Sequence, residues 1–157
     1  MTPDDEGPRD EDRLLDEVGA AFARLRRRTT QVTVDPAGPA PSRKDLSRNL
    51  VLNLVDEADD EVTVGWLADQ LGIDPSAASR AVSDCITAGL LARGASQHDG
   101  RRIVLSLTPE GDALRRRFRS QQRAAFEQIT TDWSDDDRLA FARLLVRYDE
   151  DAARLVR

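Results

Sequence analysis

The chain has 157 residues, 39% hydrophobic and 33% charged, with a net charge of −6; at roughly 150 residues per domain this predicts one globular domain. A single cysteine, Cys85, excludes an internal disulfide, and a single histidine, His98, leaves too few ligands for a typical structural zinc. No stretch approaches the ~18 apolar residues of a membrane span, and the acidic balance excludes a non-specific nucleic-acid binder, so any DNA contact must use a local surface.

Residues 1–12 (MTPDDEGPRDED) hold six acids against one arginine and read as a disordered acidic tail. They lack the basic and apolar regions of a secretory signal, so the expected location is cytoplasmic. Leu15, Val18, Phe22, Leu25, Thr29 and Val32 then recur at alternating steps of three and four, predicting a helix over about 13–32. The run DPAGPAPS (35–42) is a Pro/Gly loop. Ser42 with Asp45 forms a capping-box pattern with Asp in the Glu position. It opens a second helix carrying Leu46, Leu50, Leu54 and Val55, ended by the acidic cluster 56–61.

Thr63 is the N-cap of a short third helix with Val64, Leu67, Ala68 and Leu71 inward, and Gly72 stops it. Asp74-Pro75 supplies the N-cap and first-turn proline of a fourth helix over about 75–88, which Gly89 ends. These two short helices form a helix-turn-helix pattern. The period then changes to two: Leu90–Ser96 and Arg101–Leu107 read as strands, with Ile103, Leu105 and Leu107 alternating against Arg102, Val104 and Ser106. Gln97-His98-Asp99-Gly100 between them is a hairpin turn. Thr108-Pro109 caps a fifth helix to about Thr131, carrying Leu114, Phe118, Ala125 and Ile129. Ser134 and the acids Asp135, Asp136 and Asp137 open a last helix, with the acids at its positive end. Phe141, Leu145, Tyr148, Ala152 and Leu155 form its stripe. The expected fold is mainly α with a small β wing: a winged helix-turn-helix over about 43–107, flanked by terminal helices over about 13–32, 108–131 and 134–155, within one domain spanning 13–157.

Three pieces of the run 62–114 now coincide: LADQLGIDPSAASRAV (67–82), AGLLARG (88–94), and Asp99-x-Arg101 followed by LSLTPEG (105–111). The sequence resembles the MarR (multiple antibiotic resistance regulator) family. The resemblance implies a homodimeric, winged-helix transcription regulator of repressor type whose terminal helices intertwine as the dimer interface, acting on a pseudo-palindromic operator in double-stranded DNA. It also implies a small-molecule effector held between the dimerisation helices and the winged helix, and no cofactor. Trp66 departs from the family, which usually carries a charged residue there. It packs under the second helix or against the dimer partner, or else lies near DNA.

On the fourth helix, Ala78, Val82, Cys85 and Gly89 share one face, expected to pack on the third helix. Ser76, Ala77, Arg80 and Asp84 point away from it, with Ser79 at the boundary. The N-terminal part of such a helix reads base edges in the major groove. Serine hydroxyls reach bases or phosphates, the Ala77 methyl meets a thymine methyl, and Arg80 pairs with guanine or a phosphate. Against this, Ser76 and Ser79 can simply satisfy the first helical turn. In the wing, an Asp99–Arg101 ion pair would fix the arginine for a narrow minor groove. The resemblance makes this Asp-x-Arg the wing's DNA contact, with Arg102 adding charge and His98 near a phosphate. A solvated hairpin tip is the alternative.

Lys44 is the single lysine among 23 basic residues. Arginine's planar fork suits phosphates and base edges, and GC-rich coding explains the excess equally well. The runs Arg24, Arg26, Arg27, Arg28 and Arg115, Arg116, Arg117, Arg119 read first as solvated helix faces with i,i+4 pairs; an anionic-ligand pocket or a DNA flank is the second reading. Cys85 on the packed face reads as structural. No enzyme is expected. His98 and Asp99 are adjacent, whereas triad members converge from separate elements, and no HExxH, phosphate-loop or GxSxG motif occurs. The acidic runs 56–61 and 135–137 are explained by capping and solubility rather than metal. A winged-helix protein-interaction module without operator binding is the alternative function.

Overall fold

The structure, a computed structural model, describes residues 10–29 and 42–155. The chain divides into two units, Met1–Thr33 and Val34–Arg157. The first contains α1 (Asp10–Thr29). This helix begins three residues before the expected position, because Asp10, Glu11 and Asp12 occupy its first turn, where carboxylates complement the positive end of the helix. Leu14, Leu15, Val18, Phe22 and Leu25 of α1 are exposed in the protomer. The rest of the expected tail, residues 30–32 of the expected helix and the loop up to residue 41 lie outside the described residues.

In the second unit the order is α2 (Arg43–Glu57), α3 (Val64–Leu71), α4 (Pro75–Thr87), β1 (Leu91–Ala95), β2 (Ile103–Leu107), α5 (Pro109–Ile129) and α6 (Asp135–Leu155). Local punctuation sets most of these boundaries. Ser42 Oγ accepts from Asp45 N at 3.1 Å and the Asp45 carboxylate accepts from Ser42 N at 3.3 Å, completing the capping box. Thr63 Oγ1 accepts from Trp66 N at 3.2 Å. Gly72 adopts φ 62°, ψ 36°, the left-handed conformation that closes α3. Asp74 Oδ1 accepts from Ala77 N at 2.9 Å, with Pro75 in the first turn of α4. Ser134 Oγ accepts from Asp137 N at 3.1 Å at the start of α6.

Val51, Leu52, Val62, Leu67, Val82, Cys85, Leu90, Leu91 and Leu105 form the core, drawn from α2, α3, α4 and the hairpin. Full burial of such a side chain contributes about 1.5–3 kcal/mol relative to exposure. One expectation needs correction. Gly89 does not share the packed face of Ala78, Val82 and Cys85: it lies past the end of α4, exposed, at φ 73°. Leu46 and Leu50 of α2 remain exposed, and α2 instead buries Asn49, Val51 and Leu52. Ile103 is 62% exposed whereas Leu105 is 6%, because only the lower half of the wing rests on the helical core. The stripe of α6 buries no residue in the protomer.

β1 and β2 pair antiparallel, Leu91 opposite Leu107 and Ala95 opposite Ile103. Leu105 N also donates to Val62 O at 2.8 Å, adding a one-residue bridge from the segment before α3. The first turn of α5 is anchored to the wing root: Thr108 Oγ1 accepts from Gly111 N at 3.0 Å and donates to Gly89 O at 2.7 Å. A Cβ on Gly111 would overlap the Leu90 carbonyl oxygen, so the glycine is required by this close approach. At the α5–α6 elbow, Phe126 stacks on Phe141 at 6.2 Å and Trp133 meets Phe141 edge-on at 5.4 Å. Trp66 is half-buried against the winged-helix core.

Candidate nucleic-acid interface

The cap at Asp74 and the apolar face of α4 decide which side chains are left outside. Ala78, Val82 and Cys85 are each 1% exposed, so α4 is seated by one face. Ser76, Ser79 and Arg80 are exposed and Ala77 is half-buried. The Ser76 hydroxyl donates to Asp74 Oδ1, so its proton is engaged within the first turn. That bond, followed by the Ala77 N–H, holds the Asp74 carboxyl below the usual carboxylate range.

Asp84, expected to point away from the packed face, turns toward α2. Its carboxylate accepts from Arg48 Nε at 2.7 Å and meets Lys44 Nζ at 2.8 Å. Hydrogen bonds from Arg48 and then Lys44 hold its carboxyl below the ordinary range. The clamp orients α4 relative to α2, a role the sequence reading did not assign.

The wing is organised by a residue that reading also missed. The Ser96 side chain is buried, and its hydroxyl donates to Glu61 Oε2 while accepting from His98 N at 3.0 Å and Asp99 N at 2.9 Å. Glu61 Oε1 accepts from Gln97 N at 2.7 Å and lies 3.3 Å from His98 Nδ1. These bonds, Ser96 first and Gln97 second, hold the Glu61 carboxyl below the usual glutamate range. Across the loop, Ser96 N donates to Arg102 O at 2.9 Å and Arg102 N to Asp99 O at 2.8 Å.

The expected Asp99–Arg101 ion pair does not form. Asp99 Oδ1 instead accepts from Arg101 N at 3.0 Å, so the carboxylate fixes the arginine's backbone and leaves its guanidinium outward of that bond. A residue two positions away in a turn is closer through its N–H than through a long side chain. Arg101, Arg102, His98 and Asp99 are all exposed.

The basic run on α5 is not uniform. Arg115 is buried, with Nη1 at 2.6 Å from Asp56 Oδ2 of α2. Arg116 pairs with Asp112 one turn earlier, and Arg117 and Arg119 are exposed. On α1, Arg24 and Arg27 are exposed, and the side chains of Arg26 and Arg28 lie outside the described residues. Among the described residues no group of three or more His, Cys, Asp or Glu could hold a metal, and no helix is long and apolar enough to cross a membrane.

Residues 49–102 match the model of the MarR family. No curated protein matches the sequence. Among solved structures, a MarR family transcription regulator is 21% identical, with 94% of this chain and 95% of that one covered and a TM-score of 0.64. The YusO protein from Bacillus subtilis is 19% identical, covering 88% and 96%, with a TM-score of 0.63. A MarR family protein from Bacillus stearothermophilus is 18% identical, covering 92% and 94%, with a TM-score of 0.58. The helix-turn-helix and most of the wing thus lie in a segment that matches the MarR family model, and the chain is similar in fold to MarR family transcription regulators.

Proposed function

We propose that this protein is a sequence-specific DNA-binding transcription regulator that acts as a homodimer on a pseudo-palindromic operator, in the sense of a repressor. The observation that carries the reading is the division of α4 into a fully buried face and an outward face bearing Ser76, Ser79 and Arg80. On this reading α4 enters the major groove with Ser76, Ala77, Ser79 and Arg80, and the wing brings His98, Asp99, Arg101 and Arg102 to the flanking backbone and minor groove. Residues 13–157 act as one functional domain in the cytoplasm, and the protein performs no catalysis.

Dimerisation through the terminal helices is supported by their exposed apolar residues. Leu14 and Leu15 of α1 are 72% and 70% exposed, and Leu144 and Leu155 of α6 are 62% and 88%. Several large exposed apolar side chains on one helix mark an interaction face, and each of these helices carries them. Two subunits then present their fourth helices about one DNA turn (~34 Å) apart. A small molecule bound between the dimerisation helices and the winged helix would change that spacing and release the operator; this regulatory arm rests on the likeness of fold.

A mobility-shift assay with the DNA flanking the protein's own gene tests the reading. A retarded complex that survives excess random duplex supports it, and no shift at low salt overturns it. Sedimentation at micromolar concentration tests the assembly: a 17.4 kDa species would remove the dimer.

A further inference from the structure

The chain is acidic as a whole, with a net charge of −6, yet one groove reverses that balance. It lies between α2 and α4, has a volume of about 450 Å³, and carries Arg43, Lys44, Arg48, Arg80 and Asp84 around a mostly apolar floor that includes Val51 and Ala81. Four cations face one carboxylate there. The two ends of the groove differ. Asp84 ties Lys44 at 2.8 Å and Arg48 at 2.7 Å, which neutralises part of their charge and holds both heads in place. Arg43 and Arg80 form no ion pair among the described residues, and both are exposed. Lys44 keeps 63% of its side-chain surface in solvent despite its bond to Asp84.

We propose that this groove is a phosphodiester clamp, in which Arg43 and Lys44 at the start of α2 grip the DNA backbone beside the major groove that α4 reads. The inference rests on the DNA-binding reading above and extends it to a second element. Arg80 belongs to both surfaces, since it stands on the reading face of α4 and also lines the groove. A backbone phosphate held there is therefore adjacent to the bases that Arg80 contacts. Phosphate contacts of this kind fix register and orientation and carry no sequence information themselves. They also explain how a net acidic chain binds a polyanion: the attraction is concentrated locally, at this groove and at the wing. Asp84 stays outside the ligand set and acts as a positioning residue for Lys44 and Arg48.

The test compares wild type, the double variant Arg43→Ala/Lys44→Ala and the single variant Arg80→Ala on two duplexes of equal length, one carrying the operator and one of random sequence. Both sites of the double variant are exposed, and unchanged far-UV circular dichroism verifies that it folds. If the groove clamps phosphate, the double variant loses affinity for both duplexes by a similar factor, about tenfold at moderate salt. Its plot of log K against log [salt] flattens by about 1–2 units, roughly 0.9 per phosphate contact removed. Arg43→Lys, which keeps the charge, retains most of the slope. Wild-type affinity and slope in the double variant, with Arg80→Ala still losing the operator, would overturn the clamp and leave the regulator reading intact. A loss confined to the operator duplex would also overturn it, since it would assign Arg43 and Lys44 to base reading. Absence of binding by the wild type to either duplex would overturn both readings.

Discussion

Arg115 Nη1 stands 2.6 Å from Asp56 Oδ2, joining α5 to α2 across the side of the winged helix. The two partners are unequally buried: the Arg115 side chain is 9% exposed and that of Asp56 is 35%. Arg115 Nε has no partner among the described residues, and Asp112 supports the guanidinium only at 3.6 Å. Removing either partner is therefore not equivalent. Asp56→Ala strands a buried cation and is expected to cost about 2–3 kcal/mol, whereas Arg115→Met replaces that cation with an apolar stem and is expected to stay within about 1 kcal/mol of wild type. Urea denaturation checks the ranking, and the reverse order would show that the guanidinium itself stabilises the fold.

Arg80 and Arg101 should fail differently. Arg80→Ala is expected to cost about 1–3 kcal/mol on the operator and to relax specificity at one base position. Arg101→Ala is expected to weaken binding to many sequences alike and to flatten the salt dependence by about 1 unit. Titrations on the operator, single-base variants of it and a random duplex separate the two. Equal losses on every duplex for Arg80→Ala would remove it from base reading.

The Glu61 carboxyl sits below its ordinary value of 4.5, chiefly through the Ser96 hydroxyl and then the Gln97 N–H. A depressed acid contributes stability above its unfolded pKa and loses it as the pH falls through the folded value. Wild type should therefore lose more stability than Glu61→Gln between neutral pH and about pH 3, and the two unfolding curves should converge in acid. The same substitution at neutral pH should speed hydrogen exchange of the His98 and Asp99 amides, whose acceptor is Ser96 Oγ. Stability profiles that stay parallel over that pH range would show that Glu61 does not hold the wing.

Burial pushes the Cys85 thiol up to about 11. A thiol in that state is protonated at neutral pH and slow to react. Alkylation by iodoacetamide at pH 8 should be slow in the folded protein and fast in denaturant. A raised thiol pKa also has a stated direction: its contribution is intact below the unfolded value of 9.0 and is lost as the pH rises through about 11. Cys85→Ser should cost about 1–3 kcal/mol, because a hydroxyl takes the place of a small buried hydrophobe, and should leave any response of DNA binding to peroxide unchanged. Fast labelling of the folded protein would contradict the buried assignment.

What was legible in the sequence was its local punctuation. Ser42, Thr63, Asp74, Thr108 and Ser134 each stand at the expected start of a helix, because a cap is satisfied by an N–H three residues away. Contacts made far along the chain were not legible. Glu61 reads as the end of an acidic run, and only folding brings it to Ser96, 35 residues later. Asp84 reads as an outward residue of the reading helix, and its partner Arg48 lies 36 residues before it. Gly111 reads as part of a motif, while its reason, the nearby Leu90 carbonyl, belongs to another element. Periodicity located the apolar faces of α5 and α6 without saying what covers them. Phe118 is buried within the protomer, whereas Leu145 is not.

The two tryptophans of the chain fall in different neighbourhoods. Trp66 lies against the winged-helix core, and Trp133 meets Phe141 edge-on at the α5–α6 elbow. Intrinsic fluorescence is thus divided between the winged helix and the long C-terminal helices. An emission change confined to one indole would localise a structural transition to its own neighbourhood, without an added dye.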